Sequence, residues 1–141
     1  MSEDNKAVAR RFIMDAFVKN DAAAWEETVA ENVVDHNPMP DQKAGRAGVA
    51  QAAEIYRTAF PDMKTSIDHQ VAEGDYVTQR GVAKGTHTGD LMGMPPTSRS
   101  AEVPWLDMYR FEDGKIAEVW HVEDIAGMLI QLGFLPEPGS A

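Results

Sequence analysis

Hydrophobic residues recur at helical spacing in the first sixty residues of the chain and alternate with polar ones after that. Apolar positions three to four residues apart predict amphipathic helices over residues 3–19 and 45–60. A shorter helix over residues 22–29 fits between them, with Asp21 as its N-cap. Proline disfavours the helical conformation in the residue before it, so Pro61 should end the third helix.

The second half of the chain shows the alternation typical of strands. One alternating run covers residues 63–71, and Glu73-Gly74-Asp75 should turn the chain into a strand over residues 76–87. A long loop rich in glycine and proline follows, and then a strand over residues 99–111. A last helix should begin between Val122 and Asp124 and end at Leu132. Helices followed by hairpins predict an α+β fold, with an antiparallel sheet bent around the helices.

The strongest local signal is Asp113-Gly114, which predicts a two-residue hairpin loop. A simple register then sets Phe111 opposite Ile116 and Asp107 opposite Trp120, while His121 points outward or into a subunit interface. Carboxylates among aromatic rings suit a pocket for proton chemistry on an apolar molecule better than a plain core. One face of this ribbon would carry Trp105, Asp107, Tyr109, Phe111, Ile116, Glu118, Trp120 and Val122.

Composition limits the classes of partner. The 141 residues predict a single domain over residues 1–135 and a loose tail over residues 136–141. A formal net charge of −10 argues against nucleic acid or an anionic membrane surface as partner. The absence of cysteine excludes disulfides, thiolate metal sites and cysteine nucleophiles. No long apolar run or signal-peptide pattern is present, so a soluble cytoplasmic protein is expected.

Seven short segments, in order, resemble the SnoaL-like polyketide cyclases, also called ester cyclases, of the NTF2-like superfamily. The resemblance implies a cone-shaped barrel, in which a curved sheet wraps around three N-terminal helices and encloses one apolar cavity. It also implies a homodimer or homotetramer through the outer sheet face. The segments are His36-Asn37-Pro38, Phe60-Pro61-Asp62, Glu73-Gly74-Asp75, Gly85-Thr86-His87-Thr88-Gly89, Gly93-Met94-Pro95-Pro96-Thr97, Asp113-Gly114-Lys115-Ile116 and Glu118-Val119-Trp120.

An apolar outer face agrees with such an assembly, because a sheet that is apolar on both faces needs a second covering layer. In the simple register this face of the ribbon carries Leu106, Met108, Ala117 and Val119.

The resemblance further implies an intramolecular aldol reaction without metal or cofactor, catalysed by an acidic residue just after the Glu-x-Trp motif. Asp124 is the matching position. A carboxylate in a dry pocket is a suitable base for a proton next to a carbonyl, because burial raises its pKa. Asp124 also directly precedes the last predicted helix, so a role as its N-cap is an equal alternative.

Further polar candidates each have a structural alternative. His36 and Asn37 either polarise a substrate carbonyl or cap a proline turn, and His87 either takes part in catalysis or fixes the long loop. A zinc site formed by the two histidines and an acid matches no metal motif, so no metal is expected. Asp107 is either a pocket carboxylate or a solvated strand residue, and Glu118 is either a second pocket carboxylate or the partner of a surface arginine or lysine. The predicted substrate-binding residues are Asn37, Trp105, Asp107, Glu118, Trp120 and Met92.

Several reaction classes stay open on sequence grounds, because one fold can host many functions. The first is a cofactor-free cyclase that acts on a polyketide-like or other apolar carbonyl compound. The second is a protein that binds a small apolar ligand without turnover. The third is an isomerase or epoxide hydrolase that uses the same kind of carboxylate pocket. No phosphate-binding glycine loop or nucleotide fingerprint supports a nicotinamide or flavin cofactor.

Overall fold

A computed structural model describes residues 2–139 and shows helices packed against one curved, unclosed sheet. The α+β class predicted from the sequence is therefore confirmed. Residues 140 and 141 of the predicted tail lie outside the described residues. The elements are α1 (Ser2–Arg11), a π-helix (Phe12–Val18), α2 (Ala22–Thr28), β1 (Val29–Asp35), α3 (Gly45–Ala59), β2 (Lys64–Thr65), β3 (His69–Glu73), β4 (Tyr76–Thr86), β5 (Ser100–Glu112), β6 (Lys115–Glu123) and α4 (Ile125–Leu132).

The sheet is mixed, whereas an antiparallel sheet was predicted. Its strand order is β1-β6-β5-β4-β2, and β3 also pairs with β4. Strand β1 runs parallel to β6, while the other pairings are antiparallel. The chain can form this parallel pair because α3 and four further strands lie between β1 and β6, which is more than enough chain to return in the same direction.

The main core lies between the N-terminal helices and the concave face of the sheet. Phe12 lies at its centre and makes edge-to-face contacts with Trp25 and Tyr109, at ring-centroid distances of 5.9 and 5.5 Å. Edge-to-face pairs of this kind add to the free energy gained by burying the rings. A second core cluster joins α4 to the end of α3 through Met128, Leu132 and Phe60.

The first predicted helix is present, but its last seven residues form a π-helix, Phe12–Val18. In this conformation hydrogen bonds join residues five apart, so residues at that spacing lie on one face. Phe12 and Phe17 make an edge-to-face contact across this interval, and both line the cavity together with the pair Ile13 and Val18. The π-helix thus directs two pairs of large apolar side chains to one wall.

A β-bulge in β6 changes the predicted register of the hairpin. Phe111 pairs with Ile116 as predicted, but Arg110 pairs with Glu118, which leaves Ala117 as an extra residue. Beyond the bulge, Asp107 lies opposite His121 and not opposite Trp120. A shift of one residue exchanges the two faces of a strand. The predicted orientations beyond the bulge are therefore wrong: Val119 and His121 face the cavity, while Trp120 faces outward.

The outer face of the ribbon exposes apolar side chains. Leu106 and Val122 are opposite each other on β5 and β6, and they are 45% and 60% exposed. Val34, on the neighbouring strand β1, is 49% exposed. Within residues 2–139, no helix combines the length and the apolar character needed to cross a membrane.

Candidate active site

A cavity of about 130 Å³ lies between the helices and the concave face of the sheet. Most of its wall is apolar, with rings contributed by the π-helix, α3 and β5. One part of the wall carries a cluster of ionisable side chains, here called the acidic cluster, which consists of Asp35, Asp107, His121 and Glu123.

The sheet brings the acidic cluster together from three adjacent strands. Asp107 on β5 lies opposite His121 on β6, and Glu123 follows two residues later on the same side of β6. Asp35 is the last residue of β1, which pairs with β6. Residues that share a face of neighbouring strands have side chains within contact distance, so these four groups influence one another.

His121 is held between two carboxylates. Its Nδ1 lies 2.6 Å from Oε1 of Glu123, and its Nε2 lies 3.1 Å from Oδ1 of Asp35. Burial favours the neutral imidazole, but the two hydrogen bonds and the negative charges of Asp35 and Glu123 outweigh burial and raise the pKa of His121 to about 10. His121 is therefore an imidazolium at neutral pH and donates from both ring nitrogens.

Asp35 also anchors the loop that follows β1. Its carboxylate accepts hydrogen bonds from Nε2 of Gln42 and from the backbone N–H of Asn37, each at 2.9 Å. Burial opposes the ionised form, yet these bonds and the one from His121 lower the pKa of Asp35 below its ordinary value. Oδ1 of Asn37 in turn accepts from the backbone N–H of His121 at 2.9 Å. The loop thereby fixes both the side chain and the backbone of His121.

Asp107 is the most deeply buried carboxylate of the cluster, with 8% of its surface exposed. The hydroxyl of Tyr109 donates to its Oδ2 at 2.6 Å. Burial, which penalises the charged form, raises the pKa of Asp107 to about 7, although the hydrogen bond from Tyr109 and the charge of His121 act in the opposite direction. Asp107 can therefore both accept and release a proton near neutral pH.

Tyr56 and Trp105 add polar atoms to the aromatic wall. Burial, assisted by the charge of Glu123, raises the pKa of Tyr56 to about 12, so its hydroxyl keeps its proton. That hydroxyl forms no hydrogen bond with any other residue in the described part of the chain. The indole N–H of Trp105 donates to Oγ1 of Thr65 at 2.8 Å. Of the residues predicted to bind substrate, Trp105 and Asp107 do line the cavity.

Asp124, the residue predicted to be catalytic, is the N-cap of α4. Its Oδ1 accepts from the backbone N–H of Gly127 at 2.9 Å. The residue is exposed and is not part of the cavity wall, although its neighbours Glu123 and Ile125 are. This is the capping alternative that the sequence allowed, and it satisfies one of the free N–H groups at the start of α4.

His36, Glu118 and Trp120 lie together on the outer face, away from the cavity. The rings of His36 and Trp120 are stacked at a centroid distance of 4.5 Å, and Nε2 of His36 lies 3.0 Å from Oε1 of Glu118. Glu118 also pairs with Arg110. The predicted pocket positions of Glu118 and Trp120 are wrong because the bulge turns both residues outward. His36 is directed outward because Asp35, its neighbour on the strand, faces the cavity.

His87 and Met92 lie away from the cavity wall as well. His87 is fully buried, and its Nδ1 lies 3.1 Å from Oγ1 of Thr97. Its backbone bonds to Arg99 and Ser98, so it closes the base of the long loop, as the structural alternative required. Met92 is exposed in that loop, with a φ of 47°.

Sequence reasoning missed three of the four residues in the acidic cluster. Asp35, His121 and Glu123 are each next in sequence to a residue that was predicted to belong to the site and lies outside the cavity wall. A register error of one residue on β6 was therefore enough to select the wrong side chains there. The His-x-Glu spacing of β6 was a usable signal, because residues two apart on a strand share a face. The described residues contain no group of three or more His, Cys, Asp or Glu side chains arranged to hold a metal ion.

Comparison with characterised proteins gives a consistent result. The family model described as "SnoaL-like polyketide cyclase" matches residues 7–132. The nogalonic acid methyl ester cyclase of Streptomyces nogalater is 33% identical over 90 residues, which cover 63% of this chain and 67% of that protein. The aklanonic acid methyl ester cyclase DnrD of Streptomyces peucetius is 29% identical over 108 residues, 76% of this chain and 72% of that protein.

Solved structures share the same fold. IdmH of Streptomyces antibioticus, described as a candidate polyketide cyclase, is 34% identical and superposes with a TM-score of 0.80 over 92% of this chain and 98% of its own. TsrD of Streptomyces laurentii reaches a TM-score of 0.86 over 96% of this chain and 98% of its own, and its 24% identity supports the fold alone. The match of one family model to nearly the whole chain is decisive: this protein belongs to the SnoaL-like polyketide cyclase family.

Proposed function

We propose that this protein is a cyclase that closes a ring in an apolar, polyketide-like carbonyl compound by an intramolecular aldol reaction, without a cofactor. The observation that carries the proposal is the buried carboxyl of Asp107, which has a pKa of about 7 and lies beside the imidazolium of His121 in a cavity whose wall is mostly apolar. The two methyl ester cyclases among its relatives support the same class of substrate.

Asp107 is assigned as the base. A carboxylate with a pKa of about 7 is a stronger base than an exposed one and is still ionised in a large fraction of molecules at neutral pH. It removes a proton from the carbon next to a substrate carbonyl and so generates an enolate. The enolate carbon then forms a C–C bond to a second carbonyl carbon, and the proton ends on the new hydroxyl oxygen.

Tyr56 and His121 are assigned to stabilise the negative charge that develops on oxygen. The Tyr56 hydroxyl keeps its proton and is not engaged by other described residues, so it can donate to the oxyanion. The N–H groups of His121 are bonded to Asp35 and Glu123, so this residue contributes its positive charge and not a free donor. Fixed charges and donors in a site that excludes water are an effective means of lowering a barrier.

The apolar wall is assigned to fold the substrate for ring closure. A cavity that holds the two reacting carbons in contact has already restricted the open chain, so the entropy cost of folding that chain does not add to the activation barrier. This effect alone lowers the barrier by several kcal/mol in favourable cases. Phe17 and Tyr56, from two helices, lie with their ring centroids 6.4 Å apart, and Trp105 from β5 adds a further ring to the cavity wall. The proposal keeps the chemistry predicted from the sequence but moves the base from Asp124 to Asp107.

The test of this function is conversion of nogalonic acid methyl ester or aklanonic acid methyl ester in the presence of EDTA. We expect a product of unchanged mass and altered chromatographic and ultraviolet properties, because an intramolecular aldol addition conserves all atoms. The rate should rise with pH through about 7 as Asp107 ionises. Saturable quenching of tryptophan fluorescence by either ester without any product would instead identify a binding protein.

We also propose that the protein is a homodimer or homotetramer joined through the outer face of the sheet. Leu106 and Val122 form an exposed apolar pair there, Val34 is a further exposed apolar residue on the same face, and exposed apolar surface of this kind commonly marks subunit contacts. Leu106→Glu places a charge in this contact and should reduce the mass found by light scattering to that of a monomer. Met92→Glu, at an exposed loop position, is the control. A monomeric wild-type protein would contradict the proposal.

A further inference from the structure

Gln79 on β4 is a buried polar residue that lies behind the cavity wall. Only 1% of its surface is exposed, and it is paired across the sheet with Asp107. Its Nε2 donates to the backbone carbonyl of Ala9 and to the hydroxyl oxygen of Tyr109, both at 3.0 Å. Its Oε1 accepts from Nε2 of Gln70 at 2.9 Å. Every polar atom of this amide therefore has a partner.

The orientation of the Gln79 amide follows from its neighbours. A backbone carbonyl only accepts hydrogen bonds, so the atom that faces Ala9 must be the NH2 group. Gln70 presents its own NH2 group to Gln79, because the same nitrogen also donates to the carbonyl of Lys6 at 2.8 Å. Two backbone carbonyls on α1 thus determine which end of Gln79 faces Tyr109.

This orientation also determines the direction of the next hydrogen bond. A tyrosine hydroxyl has one proton, and the oxygen of Tyr109 already accepts from Gln79. Its proton is therefore directed to Oδ2 of Asp107, at 2.6 Å. Within residues 2–139, Oδ1 of Asp107 forms no hydrogen bond, which leaves that oxygen for a substrate proton.

We propose that Gln79 is a positioning residue for the reaction: it fixes the Tyr109 hydroxyl as the donor to Oδ2 of Asp107 and so keeps Oδ1 as the oxygen that takes the proton. The role assigned to Oδ1 rests on the proposed cyclase function. The hydrogen-bond relay itself does not, since each of its contacts is a feature of the folded chain.

The relay changes the basicity of Asp107 in a definite direction. A hydrogen bond donated to a carboxylate stabilises the ionised form and lowers the pKa, which opposes the effect of burial. Donation from Gln79 polarises the Tyr109 hydroxyl and strengthens its bond to Asp107. Without Gln79, a smaller fraction of Asp107 is ionised at neutral pH.

The experiment compares Gln79→Met, Tyr109→Phe and the double variant. Gln79→Met should move the acid limb of the kcat/KM profile upward by roughly 0.2 to 0.5 pH unit, a fraction of the effect of one hydrogen bond, because the bond from Tyr109 to Asp107 is weakened and not lost. Tyr109→Phe should move it in the same direction. In the Tyr109→Phe background, Gln79→Met should add no further shift, because Gln79 acts only through the hydroxyl. Gln79→Glu, which keeps the length of the side chain but accepts from the hydroxyl, is a second variant with the same expected direction.

Gln70→Met is the matched control. It removes the bonds to Gln79 and Lys6 but leaves the bond from Gln79 to Tyr109, so the melting temperature should fall while the acid limb stays in place. The titration of the Asp107 carboxyl, followed by 13C NMR without substrate, should show the same shifts even if neither ester is converted. An unchanged Asp107 titration in Gln79→Met, or a shift that persists in the Tyr109→Phe background, would overturn the proposal.

Discussion

Asp107→Asn is expected to lower kcat by about 10³-fold, the usual contribution of a positioned general base. Asparagine keeps the shape of the side chain and can still accept the hydrogen bond from Tyr109, but it cannot take a proton. Binding of the substrate should change little, because the apolar wall is untouched. Stopped or continuous assays of ester conversion give kcat, and fluorescence titration gives the dissociation constant.

Asp124→Asn is the matched control for this variant. Asparagine is as good an N-cap as aspartate, so the fold should survive, and a residue that only caps α4 should leave kcat near the wild-type value. If Asp124→Asn were inactive and Asp107→Asn active, the catalytic base would be Asp124, as predicted from the sequence, and the assignment of Asp107 as the base would be wrong.

Thermal stability gives an independent reading of Asp107. Its pKa is about 7 in the folded protein and about 4 in an unfolded chain, so the folded state holds a proton that the unfolded state releases between these values. The wild type should therefore lose stability as the pH rises from about 4 to about 7. Asp107→Asn should not show this decrease, because it has no carboxyl group at this position. The melting temperatures of both proteins over this range measure the difference.

His121→Gln should lower kcat/KM by about 10²-fold, a typical loss when one electrostatic stabiliser of a transition state is removed. Glutamine retains hydrogen-bonding ability but carries no charge, so the carboxylate of Asp107 loses a favourable neighbour. The acid limb of the pH–rate profile should therefore move to higher pH. His36→Gln is the control, because His36 lies on the outer face and should leave the limb unchanged.

The loss of stability in His121→Gln should be largest at low pH and should disappear at high pH. The loss of a paired carboxylate would show the opposite dependence on pH. The pKa of His121 is raised from an ordinary value near 6.5 to about 10, so its contribution is fully present below 6.5 and is lost as the pH rises toward 10. The melting temperatures of the variant and the wild type should consequently converge at alkaline pH. A variant that keeps the wild-type acid limb would contradict the electrostatic role.

Local patterns predicted most of the architecture. The boundaries of α3 and the hairpin loop at Asp113-Gly114 lie within one residue of the prediction, since amphipathic spacing and a turn of known type are encoded locally. The parallel pairing of β1 was not predictable in this way. It depends on which sheet edge the chain returns to after the helices, and no residue in β1 specifies that choice alone.

The candidate site was harder to predict because it depends on register. Asp107 and Trp105, on the strand before the hairpin loop, were placed on the correct face, whereas the residues beyond Ala117 were placed on the wrong one. Nothing in the composition around Ala117 marks it as an extra residue. A bulge arises where twist and packing require it, and those are properties of the whole sheet. Asp35 was missed for a related reason, since its partner strand was unknown.

The bulge at Ala117 also affects how relatives can be compared with this chain. Against a relative that lacks the extra residue, an alignment without a one-residue gap between Phe111 and Glu118 would equate a cavity residue of one protein with a surface residue of the other. Roles transferred along β6 by sequence position, including the role first assigned to Asp124, hold only between proteins that share the bulge. In laboratory evolution, deletion of Ala117 should accordingly preserve the cavity face, because Phe111–Ile116 and Arg110–Glu118 would become consecutive pairs of a regular ladder and Asp107 would stay opposite His121.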